Sequence, residues 1–182
     1  MAAHPAAYKP TARVLHWLVF LLLVGMIPAG QIMIQEGLDR STQNLLFMFH
    51  KNGGVLVLFL VLLRILYRAF NPPPPMPATV PPAQAMIAGL VHVALYGLLL
   101  VMAVSGYVRV VAGGFPLEFW DAIGLPRVVP RSDALAEQAK TVHFYARFPL
   151  VGLILMHIGA ALFHGIVKRD GVLSRMLPST GR

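Results

Sequence analysis

The 182-residue chain contains no cysteine and few charged residues. Without cysteine it has no disulfide, no thiolate nucleophile, no cysteine-held iron–sulfur cluster and no covalently attached c-type haem. Only 12% of its residues are charged, about half of what a soluble domain carries. By contrast, 57% are apolar and the mean hydropathy is +0.70. This composition indicates an integral membrane protein and excludes a large soluble domain.

Four long apolar runs are separated by polar or proline-rich segments. Backbone polar groups in lipid need partners within their own segment, so each run is predicted to be a helix. We predict helices at about residues 10–35, 43–70, 83–112 and 138–168, a stiff proline-rich connector at 71–82 and a long loop at 113–137. The expected fold is an all-α, four-helix membrane bundle that forms one domain over residues 1–182.

The basic residues predict the orientation in the membrane. Eight of the 15 lysines and arginines flank one side of the predicted spans and four flank the other. The larger set is Lys9, Arg13, Arg64, Arg68, Lys168, Arg169, Arg175 and Arg182. The positive-inside rule places this side, and both termini, in the cytoplasm. The loop at 113–137 is then periplasmic. The basic residues that give the chain its formal charge of +8 lie at the ends of the apolar runs. Membrane lipids are therefore expected partners, and nucleic acid is not.

Histidines within the apolar runs point to the chemistry. A histidine inside a span is costly without a partner, so it indicates a functional site or a helix–helix hydrogen bond. His16 lies near the inner face, whereas His50 and His143 lie near the outer face. His143 and His157 are 14 residues apart on one helix, which separates them by about 21 Å along the axis and about 40° around it. One histidine is therefore high and the other low in a hydrocarbon core about 30 Å thick.

These depths predict two haems stacked along the bundle, each held through its iron by two histidines. The outer pair is His50 with His143. The inner pair is His16 with either His157 or His164. The last two are seven residues apart and share a helix face, and depth slightly favours His164. Two axial histidines leave no open position on the iron, so electron transfer is expected rather than oxygen binding.

Other residues near these histidines are candidates to bind haem propionates or to attract an anion. Lys51 and Arg147 flank the outer ligands, and Arg64 lies at the inner level of the second helix. A buried arginine needs an anionic partner, for which propionates are suitable, although snorkelling toward headgroups is an alternative. Gly53 and Gly54 would let a flat ring approach the backbone. The predicted spans contain no Asp or Glu, which disfavours a zinc or iron transporter and a proton pump.

Four segments together resemble the bacterial cytochrome b561 family. They are RVLHWLVFLLLVGM (Arg13–Met26), MFHKNGGVLVLFLVLLRILYR (Met48–Arg68), GLVHVALYGLLLVMAVSGY (Gly89–Tyr107) and TVHFYARFPLVGLILMHIGAALFHGIVKRDGVLSRMLP (Thr141–Pro178). The resemblance covers about residues 8–178. It implies a four-helix membrane cytochrome with two b-type haems. The family pattern assigns the outer haem to His50 and His143 and the inner haem to His16 and His157.

The same resemblance makes His92 and His164 candidates for contacts beside the inner haem or at a quinone site. Within the family, the chain is similar to the superoxide oxidases, which oxidise superoxide at the periplasmic face and reduce ubiquinone. This implies a superoxide:ubiquinone oxidoreductase of the bacterial inner membrane, in which outward-facing cations would steer superoxide. One alternative is a membrane anchor and electron conduit for a partner dehydrogenase or a periplasmic carrier protein. Another is a haem-free membrane protein whose histidines are structural or bind a divalent metal.

Overall fold

The computed structural model describes residues 7–177, so the predicted cytoplasmic Arg182 and the terminal Pro178 of the last segment lie outside it. The helices are α1 (Pro10–Ile32), α2 (Arg40–Phe70), α3 (Pro82–Ala112), α4 (Glu118–Ala122) and α5 (Asp133–Leu162). A π-helical turn, Phe163–Lys168, continues α5. Four of these helices are long and apolar enough to cross a membrane, and the described range contains no strand. The predicted all-α fold with four spans is confirmed.

The turn between the first two helices lies three residues earlier than the sequence predicts, at residues 33–39 instead of 36–42. The carboxylate of Asp39 accepts a hydrogen bond from the backbone N–H of Thr42 at 2.9 Å. This N-cap starts α2 at Arg40 rather than near residue 43, because it satisfies a backbone donor of the first turn. Helix α1 ends at Ile32 rather than at 35. Gly37, at a φ of 83°, supplies the left-handed conformation within the turn.

The predicted loop at 113–137 is likewise partly helical. The hydroxyl of Ser132 accepts a hydrogen bond from the N–H of Leu135 at 3.3 Å, so the last span begins at Asp133 rather than near residue 138. The short helix α4 occupies part of what remains. The irregular chain is therefore confined to residues 113–117 and 123–132.

The long helices pack in sequence, α1 on α2, α2 on α3 and α3 on α5. A buried cluster of Val19, Met26, Val57 and Val61 joins α1 to α2. Within residues 7–177, neither α1 nor α2 packs its backbone against α5. Side chains therefore span the space between these helices, where helix bundles commonly build cofactor sites.

Both ends of the described chain meet at one end of the bundle. The N–H of Tyr8 donates to the carbonyl of Arg175 at 3.2 Å, and the buried Arg175 side chain donates to the carbonyl of Pro74 at 2.6 Å. The proline-rich connector therefore lies at the same end. Helix α3 begins at Pro82, the last residue of the predicted connector, because proline suits the first helical position. We call this end of the bundle the inner end and the opposite end the outer end.

Candidate functional site

Two histidines on helices that do not pack together face each other toward the outer end. The imidazole centres of His50 on α2 and His143 on α5 are 6.2 Å apart, and their planes are at 83°. A metal–imidazole bond is about 2 Å long and the ring centre lies about 1 Å behind the nitrogen, so two rings on opposite sides of one metal ion have centres about 6 Å apart. The spacing therefore fits two axial ligands of one iron.

Each of these histidines donates a hydrogen bond to a carbonyl on the neighbouring helix. His50 Nδ1 donates to the carbonyl of Met26 at 3.0 Å, and His143 Nδ1 donates to that of Met102 at 2.9 Å. Because a carbonyl can only accept, the proton of each neutral ring is on Nδ1 and the lone pair on Nε2 is free. Such hydrogen bonds fix the tautomer and the orientation of metal-binding histidines. The buried Ser105 hydroxyl also lies 3.2 Å from His143 Nδ1.

A glycine one helical turn beyond each carbonyl makes room for the imidazole ring. A Cβ atom at Gly30 would lie 2.7 Å from His50 Cε1, and one at Gly106 would lie 3.1 Å from His143 Cε1. The pattern Met-x-x-x-Gly thus occurs once on α1 and once on α3. Our sequence reasoning missed both copies, although the repeated pattern is visible in the sequence.

The glycines that the sequence analysis singled out have another neighbour. A Cβ atom at Gly53 would lie 3.1 Å from Met26 Sδ, and one at Gly54 would lie 3.7 Å from Met26 Cε. These two glycines make room for a methionine side chain of α1. In this structure their absent side chains therefore serve the packing of α2 against α1.

A cavity of about 1270 Å³ lies beside the outer pair and is lined by His50, His143 and both ring-contacting glycines. Ligand pockets usually measure about 300–1,000 Å³, so this one admits a large ligand. Among its described lining residues, Glu118 is the only acid. Five basic side chains also line it: Arg40, Lys51, Arg109, Lys140 and Arg147. The cavity therefore favours a ligand with negative charge.

Arg147 supports an anionic ligand independently. Its Nε atom is buried and has no hydrogen-bond partner among the described residues. The guanidinium carbon lies 4.1 Å from the ring centre of Phe144 and 4.7 Å from that of Phe148. The guanidinium also donates from Nη1 to the side-chain oxygen of Gln31 at 3.5 Å. The buried Nε donor still lacks a partner, and because an unpaired buried donor is costly, an anion beside Arg147 would be stabilised. Haem carboxylates fit this requirement.

Lys51 is paired within the protein. Its Nζ donates to Glu118 Oε1 and to the carbonyl of Pro116, both at 2.7 Å. Burial raises the pKa of Glu118, but hydrogen bonds from Lys51 and Asn52 outweigh this and hold the pKa below its ordinary value. Lys51 therefore fastens the outer loop to α2, and Glu118 compensates its charge.

This ion pair predicts a pH-dependent contribution to stability. The pKa of Glu118 is lower in the folded protein than its ordinary value of 4.5. Its stabilising effect is therefore complete above pH 4.5 and is lost as the pH falls through the lowered folded value. We expect Glu118→Gln to lower the melting temperature at pH 7 by a small amount, because the pair is partly exposed. Melting curves should converge at acidic pH, and an equal difference at pH 7 and pH 3 would contradict the assignment.

A second pair of histidines repeats the geometry toward the inner end. The ring centres of His16 on α1 and His157 on α5 are 6.2 Å apart at 83°. His92 lies on the other side, with its ring centre 5.3 Å from that of His157. Arg64 donates from Nη1 to His16 Nδ1 at 2.6 Å and from Nε to the Tyr96 hydroxyl at 2.7 Å. Arg64 and His92 thus lie beside the inner pair, and their predicted roles toward a haem or a quinone stay predictions.

His164 is engaged elsewhere. Its Nδ1 donates to Asp170 Oδ2 at 2.5 Å, within the segment that follows α5. Burial raises the pKa of Asp170, but hydrogen bonds from His164 and the N–H of Val172 outweigh this and lower it. Among the described residues, His164 has no ring contact with His16 or His157. The seven-residue spacing along α5 does not bring His164 into the inner pair.

The paired arrangement argues against a divalent metal site. Within residues 7–177, no group of three or more His, Cys, Asp or Glu side chains could hold a metal ion. Protein sites for zinc usually supply three or four such ligands. Two imidazoles on opposite sides of one iron suit haem, because the porphyrin supplies the other ligands.

The family model of prokaryotic cytochrome b561 matches residues 7–179. The chain belongs to this family. Cytochrome b561 homolog 2 of Escherichia coli (strain K12) is 30% identical over 95% of this chain and 92% of its own length. Probable superoxide oxidase CybB of Yersinia pestis is 32% identical over 90% and 92%. Cytochrome b561 homolog 1 of E. coli is 28% identical over 94% and 97%.

Family membership confirms the coarser predictions. This cytochrome b561 is a multi-pass protein of the bacterial inner membrane and contacts lipid through its apolar helices. The family performs electron transfer in membranes with b-type haem. The histidine pairs and the cationic cavity of this chain are consistent with that chemistry.

Proposed function

We propose that this cytochrome passes single electrons from superoxide in the periplasm to ubiquinone in the inner membrane, with two b-type haems. The observation that carries the proposal is the repeated histidine pair. His50 with His143 and His16 with His157 have equal ring separations and interplanar angles. The two ligands on α5 are 14 residues apart, which corresponds to about 21 Å along the helix.

The outer haem is held by His50 and His143 through their Nε2 atoms. Haem iron supplies one-electron oxidation and reduction at this position. The Met26 and Met102 carbonyls hold both rings in the required tautomer. Arg147, whose Nε has no partner among the described residues, pairs with a propionate.

The inner haem is held by His16 and His157. Arg64 can only donate, so its contact assigns the neutral His16 proton to Nε2. To bind iron through Nε2, His16 would carry its proton on Nδ1, and Arg64 would need another acceptor. A propionate is a suitable acceptor, because arginine pairs strongly with carboxylates. His92 remains beside His157, and His164 with Asp170 lies nearer the inner surface.

The proposed donor is a small anion, which suits the charge of the outer cavity. Arg40 and Arg109 line it, and neither has a carboxylate partner within hydrogen-bond distance among residues 7–177. Lys140 also lines it and pairs with Glu137. Cations along a cleft raise the arrival rate of anions. We place the outer end in the periplasm and both termini in the cytoplasm, because the larger set of basic residues, of which seven are described by the structure, flanks the inner end. The probable superoxide oxidase among the relatives supports this donor.

A visible spectrum of the purified protein tests the proposal. Addition of enzymatically generated superoxide should produce the bands of reduced b-type haem, and a ubiquinone analogue should then remove them. Superoxide dismutase is the control, since it should prevent the reduction. Bands that form only with dithionite would contradict superoxide as the donor and favour the electron-conduit alternative. A protein without haem bands would contradict the whole proposal.

A further inference from the structure

The short helix α4 and the residues beside it present a stripe of three exposed apolar side chains. Phe115, Phe119 and Ile123 follow one another at intervals of four residues, and all are more than half exposed. Phe119 lies within α4, Phe115 precedes the helix and Ile123 is its C-cap residue. On the opposite side, the buried Leu117 packs against Val55 and Val111. The stripe is therefore a surface that no described residue covers.

The position of α4 is fixed by Asn52 on α2. The Asn52 side-chain oxygen accepts from the N–H of Phe119 at 3.0 Å, and its backbone carbonyl accepts from Trp120 Nε1 at 3.0 Å. The Asn52 amide donates to Glu118 at 2.8 Å. Three hydrogen bonds from one residue hold the short helix against the flank of α2.

Trp120 shows which side of α2 the short helix packs against. Its ring centre is 5.5 Å from that of Phe59, which lies seven residues beyond Asn52 on α2. Phe59 belongs to an apolar span and its side chain is 44% exposed, so it faces lipid. Trp120 therefore lies on the lipid-facing side of α2.

The charges of α4 are paired, as an interfacial position requires. Glu118 bonds to Lys51, and Asp121 pairs with Arg127 at 2.6 Å. The hydrogen bond from Arg127 holds the pKa of Asp121 below its ordinary value. Free carboxylates beside acyl chains would be costly, whereas paired ones permit the approach.

We propose that α4 is embedded in the outer leaflet, with Phe115, Phe119 and Ile123 in contact with acyl chains. The apolar stripe is continuous with the lipid-facing surface of α2 at Phe59. Amphipathic helices bind bilayers in this way, with their apolar face in the boundary between headgroups and chains. Because Phe115 and Leu117 also line the outer cavity, the bilayer would support one wall of that cavity.

The absence of native cysteine makes a labelling experiment direct. Phe119→Cys and Ile123→Cys are prepared singly, and each haem-loaded protein is placed alone in a phosphatidylcholine nanodisc. The labels are an anionic sulfonated maleimide and a cationic methanethiosulfonate, so that nearby charges cannot explain a slow reaction. Ala134→Cys, at the exposed first turn of α5, is the aqueous reference, and Leu63→Cys, half exposed on α2, is the lipid reference.

Both α4 thiols should react about tenfold or more slowly than Ala134→Cys, because an apolar surrounding suppresses the reactive thiolate. Their rates should match that of Leu63→Cys, and all four should become equal in sodium dodecyl sulfate. Since Phe119 is 68% exposed in the structure, the protein itself cannot shield a thiol there. Rates equal to that of Ala134→Cys would overturn the proposal. Slow labelling in crowded vesicles but fast labelling in single-chain nanodiscs would also overturn it and indicate a second copy of the chain.

Discussion

Replacement of His143 by alanine is expected to remove the outer haem and to halve the haem content of the purified protein. His143 is one of two proposed axial ligands, and its ring lies 6.2 Å from that of His50. The inner pair should remain, since its α5 ligand lies 14 residues away, which is about 21 Å along the helix. The pyridine haemochromogen assay, normalised to protein, measures the loss from about two haems per chain to about one.

Two further alanine variants make the assignment specific. His157→Ala should remove the inner haem and keep the outer one, so the two single variants should lose different spectral components. His164→Ala is the matched control on the same helix segment, because His164 bonds to Asp170 and not to the inner pair. It should keep both haems. If His164→Ala removes the inner haem and His157→Ala does not, the proposed inner pair is wrong.

Replacement of Gly30 by alanine is expected to weaken binding of the outer haem without removing a ligand. The new Cβ atom would lie 2.7 Å from His50 Cε1, so the ring must move away from the Met26 carbonyl. Changes to groups that orient a metal-binding histidine typically reduce metal affinity by about 10–100-fold. Haem titration of protein purified under haem limitation, followed in the visible spectrum, measures this loss.

Other glycine positions separate this effect from a general effect on helices. A Cβ atom at Gly97 or Gly152 would meet no atom within 4 Å, so alanine there should leave haem binding unchanged. Alanine favours a helix over glycine by up to about 1 kcal/mol, so lost helicity cannot explain a defect in Gly30→Ala. Gly106→Ala, with a contact of 3.1 Å to His143, should show a smaller defect. Equal haem affinity in Gly30→Ala and Gly97→Ala would contradict the role of Gly30.

The helix boundaries show which local signals the sequence contains. Hydropathy placed all four spans, and the inner end of α2 at residue 70 agrees with the structure. The early starts of α2 and α5 depend on Asp39 and Ser132, whose capping side chains are visible in the sequence but were not used. These differences are local and therefore predictable. The position of α4 is of another kind, because it depends on hydrogen bonds to Asn52, more than 60 residues away.

The inner site shows where sequence reasoning reached its limit. Spacing along α5 left His157 and His164 as alternatives, because both lie on one face of an ideal helix. The structure brings His157 opposite His16 and pairs His164 with Asp170. That choice depends on how α1 is placed beside α5 and on the path of the segment after α5. Neither can be read from the spacing of one helix.

The sequence by itself determined the membrane spans, their likeness to a known family and the depths of the histidines. These properties follow from the length of apolar runs and from the constant rise of a helix, which act within one segment. Only the tertiary structure decided that Met26 and Gly30 serve His50, that Met102 and Gly106 serve His143, and that Lys51 is paired with Glu118. Those contacts join residues on different helices. They depend on the rotation and separation of packed helices, which no single segment encodes.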